Sequence, residues 1–149
     1  MSLKEKIKDD IKQAMRDKNE SRLGTLRMLS AAIQRREVDE RIQLDDTQVI
    51  VVIEKLVKQG RESIEQYVKG GRQELADKES SEIALYQAYL PQQLSEAEVD
   101  KLVVEAIASA GASSIKDMGK VMGILKPKLQ GRADMGLVGS KVKTKLSAA

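Results

Sequence analysis

Apolar residues recur at spacings of three and four along most of this chain, with charged residues between them, which is the pattern of amphipathic helices. Ser2 and Glu5 form a capping-box pair, and Leu3, Ile7, Ile11, Ala14 and Met15 follow at helical spacing, predicting a first helix that ends near Lys18. Asn19 or Ser21 opens a second, with Leu23, Leu26, Leu29 and Ile33 on its apolar face, Ala32 beside them, and an end near Glu37. The run from Gln48 to Lys69 begins Val49-Ile50-Val51-Val52-Ile53, a β-branched stretch that would suit a buried strand. It continues through Leu56, Val57, Ile64, Tyr67 and Val68 with charges interleaved, keeps a helical period, and closes on Gly70-Gly71. A long helix is therefore predicted. A fourth helix, from about Arg72 to Tyr89, turns Leu75, Ile83, Tyr86 and Leu90 inward and is closed by Pro91, which disfavours helix at the residue before it.

A new start signal follows at once. In Leu94-Ser95-Glu96-Ala97-Glu98-Val99, Ser95 and Glu98 make a capping box, and Leu94 and Val99 stand where a hydrophobic staple requires them. A fifth helix begins at Glu96 and stops at Gly111. A sixth opens at Ser114 and Asp117, carries Met118, Val121, Met122 and Leu125, and is predicted to break or kink at Pro127. A seventh is capped by Asp134 and carries Met135, Val138, Val142 and Leu146, with Ser147, Ala148 and Ala149 expected to fray. The expected architecture is all-α: an antiparallel four-helix bundle-like domain over residues 1–91, then a small three-helix domain over 92–149. Gly119 and Gly123 are expected to permit close helix packing, and Met118, Met122 and Met135 to fill the smaller core.

Composition narrows the chemistry. The chain of 149 residues has no Phe, Trp, Cys or His, so Leu, Ile, Val, Ala and Met must build its core. Without His and Cys the commonest general base and the strongest neutral-pH nucleophile are missing, and no thiolate metal site exists. No Ser, Lys or paired-carboxylate constellation replaces them. No apolar run approaches the ~20 residues of a membrane span, and the opening MSLKEKIKDD lacks the apolar core of a secretory leader, so a cytoplasmic protein is expected.

Charge is unevenly spread. The chain is +3 overall and carries seventeen basic and seventeen acidic residues up to Pro91. From Lys116 to Leu146, eight basic residues face only Asp117 and Asp134. That concentration marks a candidate polyanion-binding surface, formed by Lys116, Lys120, Lys126, Lys128, Arg132, Lys141 and Lys145, with Lys143 pointing elsewhere. Arg22, Arg27, Arg35 and Arg36 read instead as a solvated helix face. The tyrosines Tyr67, Tyr86 and Tyr89 all belong to the first domain and read as core, so no aromatic platform for stacked bases accompanies the basic tail.

Several strings of the chain resemble the YqeY family of small bacterial proteins: Thr25-Leu26-Arg27-Met28-Leu29, Tyr89-Leu90-Pro91-Gln92-Gln93-Leu94-Ser95, Asp117-Met118-Gly119-Lys120-Val121-Met122-Gly123 and Gly131-Arg132-Ala133-Asp134. The segment from Gly119 to Leu146 is also similar to the tail domain of the B subunit of the tRNA-dependent amidotransferase, a carbon–nitrogen ligase with glutamine as amide donor. The resemblance implies an all-helical two-part fold and tRNA as partner. On that basis the expected function is a non-catalytic tRNA-binding accessory module of the amidotransferase or an aminoacyl-tRNA synthetase. The alternatives are a protein-interaction module docking on such an enzyme, and an amidotransferase component with its own activity. No cofactor and no membrane association are expected.

Overall fold

The computed structural model describes residues 1–147; Ala148 and Ala149 lie outside the described residues, so the expected fraying is followed only as far as Ser147, the last residue of the final helix. Among the described residues the fold is all-helical, with seven α-helices, one short 3-10 turn and no strand. The chain divides into two compact units, Met1–Leu90 and Pro91–Ala149.

The first unit holds α1 (Leu3–Arg16), α2 (Glu20–Glu40), α3 (Asp46–Lys69) and α4 (Gln73–Gln87). Local chemistry sets their ends. The Ser2 capping box opens α1, Asn19 accepts from the Arg22 N–H to start α2, and an Asp45–Gln48 capping box starts α3. The Val49–Ile53 run is helical, because Val49, Val52, Ile53 and Val57 share one buried face and their burial outweighs the β-branched preference. α2 outlasts its expected end by three residues, and Arg41 stops it in the left-handed region at φ 55°. Ile7, Leu26, Leu29, Val49 and Ile53, none more than 2% exposed, form the centre of the core. Each such side chain contributes about 1.5–3 kcal/mol by leaving water. Tyr86 and Tyr89 complete it and Tyr67 is half-buried. The Tyr89 hydroxyl donates to the Asp10 carboxylate, tying the end of the unit to α1, and Lys6 Nζ lies 5.6 Å from the Tyr89 ring centre.

α3 and α4 form the most extensive helix pair of this unit, and Gly60 explains how they approach. A Cβ placed on Gly60 would lie 2.9 Å from Ile83 Cγ1, 3.0 Å from Ile83 Cδ1 and 3.3 Å from Glu79 Oε1. The glycine weakens the helix locally and lets the two backbones close.

The second unit holds α5 (Glu96–Ala110), a 3-10 turn (Ile115–Asp117), α6 (Met118–Leu129) and α7 (Met135–Ser147) around Val103, Val121, Leu125, Leu129, Val138 and Val142. The Ser95–Glu98 capping box is present and Gly111 ends α5 at φ 61°. Met118, Met122 and Met135 pack partly buried against this core. α6 runs through Pro127 to Leu129 rather than breaking there. Pro127 is exposed, and the residue whose carbonyl it deprives of a donor is the exposed Gly123, so the unpaired group remains on the solvent side. Gly119 and Gly123 differ from expectation too. They fall opposite the Val121–Leu125–Leu129 stripe, and no heavy atom lies within 4 Å of a Cβ built on either.

The segment before α5 is fastened to the α6–α7 turn. Gln93 Nε2 donates to the Gly131 carbonyl, the Leu94 N–H donates to the Arg132 carbonyl at 2.9 Å, and Arg132 Nε donates to the Gln92 carbonyl at 3.3 Å. Gly131 sits in that turn at φ 79°, a conformation that costs a side-chain-bearing residue energy.

Candidate functional site

The seven basic residues singled out by charge divide into two groups. Lys116 lies on the 3-10 turn and Lys120, Lys126 and Lys128 lie on α6, all exposed. Lys120 and the open positions Gly119, Gly123 and Pro127 occupy the side of α6 away from the core, with Lys126 and Lys128 at its flanks. The result is a convex cationic face with little side-chain bulk at its centre. The one acid within it, Asp117, is already engaged: its carboxylate accepts from the Ser113 N–H at 3.0 Å and the Ser114 N–H at 3.4 Å. Those backbone donors, with a smaller contribution from Lys120, hold the Asp117 carboxyl below its usual range.

Lys141 and Arg132 serve the fold. Lys141 Nζ stands 2.7 Å from Asp100 Oδ1 and 3.1 Å from Glu96 Oε1, and its side chain is only 23% exposed. The hydrogen bonds it donates, to Asp100 first and Glu96 second, hold its ammonium above the ordinary lysine value. Arg132 is half-buried and bound to the Gln92 carbonyl. Lys145 is exposed on α7, two residues from the equally exposed Lys143. Sequence reasoning did not see Glu96 and Asp100 as partners of Lys141. The available signal was their i,i+4 spacing in the first turns of α5, which sets two carboxylates on one face.

Among the described residues no group of three His, Cys, Asp or Glu is placed to hold a metal ion, and no helix is long and apolar enough to cross a membrane.

The match to known proteins covers nearly the whole molecule: residues 4–146 fit the family described as Yqey-like protein. The chain belongs to the YqeY family. Curated relatives bear the name altered inheritance of mitochondria protein 41, mitochondrial. The chain is 41% identical to the Eremothecium gossypii protein over 85 residues, which is 56% of this chain and 46% of that one. It is 35% identical to the Lachancea thermotolerans protein over 121 residues, 76% of this chain and 65% of that one. It is 29% identical to the Pyrenophora tritici-repentis protein over 146 residues, 96% and 80% of the two chains. The chain thus spans about half the length of the Eremothecium protein and 64% of the Vanderwaltozyma polyspora one.

These relatives overturn three expectations. They are fungal mitochondrial proteins, and their name does not describe a tRNA-binding accessory module of an amidotransferase or synthetase. That reading does not stand, nor do its docking and amidotransferase-component alternatives. The bacterial and cytoplasmic assignments fall for the same reason. The physical cause is that a basic segment specifies the sign of a partner and not its identity, and an opening without an apolar leader core specifies no compartment.

Proposed function

We propose that this YqeY-family chain is a non-catalytic binding protein whose second unit presents Lys116, Lys120, Lys126 and Lys128 to a nucleic-acid phosphate backbone. One observation carries the reading: Lys116 is exposed on the 3-10 turn, Lys120 on the outward side of α6 and Lys126 and Lys128 at its two flanks, and the only acid among them is occupied by backbone N–H groups. Gly119 and Gly123 leave room for a sugar-phosphate strand to approach between the lysines. With no tyrosine in this unit, recognition would rest on phosphate and shape rather than on stacked bases. Lys141 and Arg132 support the scaffold, and Lys145, one turn after Lys141 on α7, is left out of the proposed face. We also infer that the two units are separate domains, an antiparallel four-helix bundle followed by a three-helix domain. The relatives' name ties those proteins to the inheritance of mitochondria; for this chain the proposal extends only to the binding chemistry.

The test is binding of a fluorescently labelled RNA duplex to the full chain across a salt series. Neutralising about four phosphates lowers log affinity with log salt at a slope of roughly −3 to −4. Changing Lys116, Lys120, Lys126 and Lys128 together to Gln should flatten that slope and weaken binding at low salt, with helical content unchanged. An unaltered slope in the quadruple variant refutes the assignment.

A further inference from the structure

The first unit carries a depression of about 300 Å3 between α1 and α2, with Gln43 of the α2–α3 connection also lining it. Ile7 and Ile33, 2% and 5% exposed, form its floor. One wall is held in place by its own bonds. Lys4 Nζ donates to Glu37 Oε2 at 2.6 Å and to Gln43 Oε1 at 2.9 Å, and the Leu44 N–H donates to the same Glu37 oxygen at 2.8 Å. Both bonds to Glu37 end on Oε2, so Oε1 remains to accept from another donor. The Lys4 bond first and the Leu44 N–H second hold the Glu37 carboxyl below its usual range, with a smaller contribution from Lys8. The Lys8 ammonium therefore stands within electrostatic reach of that wall.

The rest of the polar lining is unpaired. The side chains of Lys8, Ser30 and Gln34 make no hydrogen bond or ion pair among the described residues. Ser30 is half-buried, yet its hydroxyl does not bond back to the preceding turn as that of Thr25 on the same helix does, at 3.1 Å from the Ser21 carbonyl. Two lysines against one glutamate leave the lining with one surplus positive charge. Neighbouring acids do not cancel it. Glu5 is taken up by the Ser2 N–H, Asp9 is not part of the lining, and Asp39 and Glu40 line a separate groove between α2 and α3. Tying α1 to α2 needs only the Lys4–Glu37–Gln43 network. It does not need an ammonium, a hydroxyl and an amide converging unpaired above an apolar floor, which is how small-molecule sites are built.

We propose that this depression binds a short-chain hydroxycarboxylate, its carboxylate held by Lys8, Ser30 and Gln34 and its hydroxyl donating to Glu37 Oε1. The carbon chain between those groups lies on Ile7 and Ile33. Charge selects the carboxylate. One carboxylate cancels the single surplus charge, whereas a phosphate monoester brings about −1.5 to −2 at pH 7 and would set its excess against the Glu37 carboxylate. Size and lining select a small molecule: the volume stands at the lower end for ligand sites, and no aromatic ring is present to stack a nucleobase. The site lies wholly within the first unit, so it stands apart from the lysines of α6 and from the function assigned to them.

The experiment titrates the full isotope-labelled chain with 3-hydroxybutyrate and follows the amide shifts by NMR. Saturable shifts are expected at Lys8, Ser30, Gln34 and Glu37. Butyrate, which lacks the hydroxyl, should bind about tenfold more weakly, and 1,3-butanediol, which lacks the carboxylate, should leave these amides unmoved. Lys8→Met should weaken 3-hydroxybutyrate binding by about tenfold or more, and Ser30→Ala by about threefold or more. Lys12→Met, one turn further along α1 and outside the lining, should leave it unchanged. Lys8 and Lys12 are both exposed, so circular dichroism should show the same helical content in either variant. The absence of saturable shifts up to about 50 mM overturns the proposal, as does indifference to Lys8→Met. Butyrate binding as tightly as 3-hydroxybutyrate overturns it, because Glu37 Oε1 then accepts nothing from the ligand. Inorganic phosphate binding these residues more tightly would make this a phosphate site and overturn it, and shifts confined to Lys116–Lys128 would place the anion on the second unit and overturn it.

Discussion

Replacing Gly60 by Ala sets two effects of known size against each other. In an exposed helix interior the change gains about 0.5–1 kcal/mol through backbone entropy. Here the new methyl would stand 2.9 Å from Ile83 Cγ1, 3.0 Å from Cδ1 and 3.3 Å from Glu79 Oε1. Glu79 and Cδ1 move by terminal rotations. Cγ1 does not, because it sits on the branched Cβ of a helical isoleucine whose χ1 has one strongly preferred state, and Ile83 is only 7% exposed. Relief therefore requires α3 and α4 to shift apart, an overpacking cost of about 1–3 kcal/mol. The expected net loss is roughly 1–2 kcal/mol, or several degrees in Tm for a unit of this size. Tyr67, Tyr86 and Tyr89 all lie in the first unit and the chain has no Trp, so tyrosine fluorescence in a urea titration reports that unit alone. Ile83→Ala on its own should cost about 2–4 kcal/mol. In the Gly60→Ala background it should cost about 1–2 kcal/mol less, since it removes the clashing atoms. A Gly60→Ala variant more stable than the parent, with no coupling to position 83, would show that Gly60 does not set the helix spacing.

Two further outcomes follow from the ionisable groups. Burial first, then Glu82 and Glu79, push the Tyr86 hydroxyl up to about 12, and burial with the Asp10 hydrogen bond raises Tyr89 as well. The unfolded chain releases these protons near pH 10. The preference of the folded state for the protonated hydroxyls is thus intact below about pH 10 and is lost progressively as pH rises toward the folded values. Urea midpoints read by tyrosine fluorescence should fall above about pH 10, and a flat profile to pH 12 would refute this. Lys141→Met should lower the unfolding midpoint of the second unit, seen as a far-UV circular dichroism transition separated from the tyrosine signal. It should leave the salt slope of RNA binding unchanged; a loss of slope would put Lys141 back among the ligand-binding cations.

The elements that sequence reading located well are those whose signals are local. The Ser95–Glu98 box places the α5 start at Glu96 because both partners lie within one turn. The Val49–Ile53 run resolves as helix because period and length outweigh residue preference. What escaped depends on groups far apart in the chain. Lys141 looked like a free cation because Glu96 and Asp100 lie 45 and 41 residues away. Gly60 carries no local signal at all, since only the crossing of α4 gives it a purpose. Gly119 and Gly123 looked like a packing motif, and only the orientation of α6 shows them facing outward.

The fastening of Gln92, Gln93 and Leu94 to Gly131 and Arg132 has a mechanical meaning. Tension entering the second unit at Pro91 meets these bonds before it reaches the first turn of α5. The pull is delivered to the α6–α7 turn, in the middle of the unit's chain rather than at its end. Drawing the segment away would strain three bonds together before α5 could be peeled from its end. A protein held between two partners, one on each unit, would thus keep its second unit folded under small loads and yield abruptly once that clasp opened.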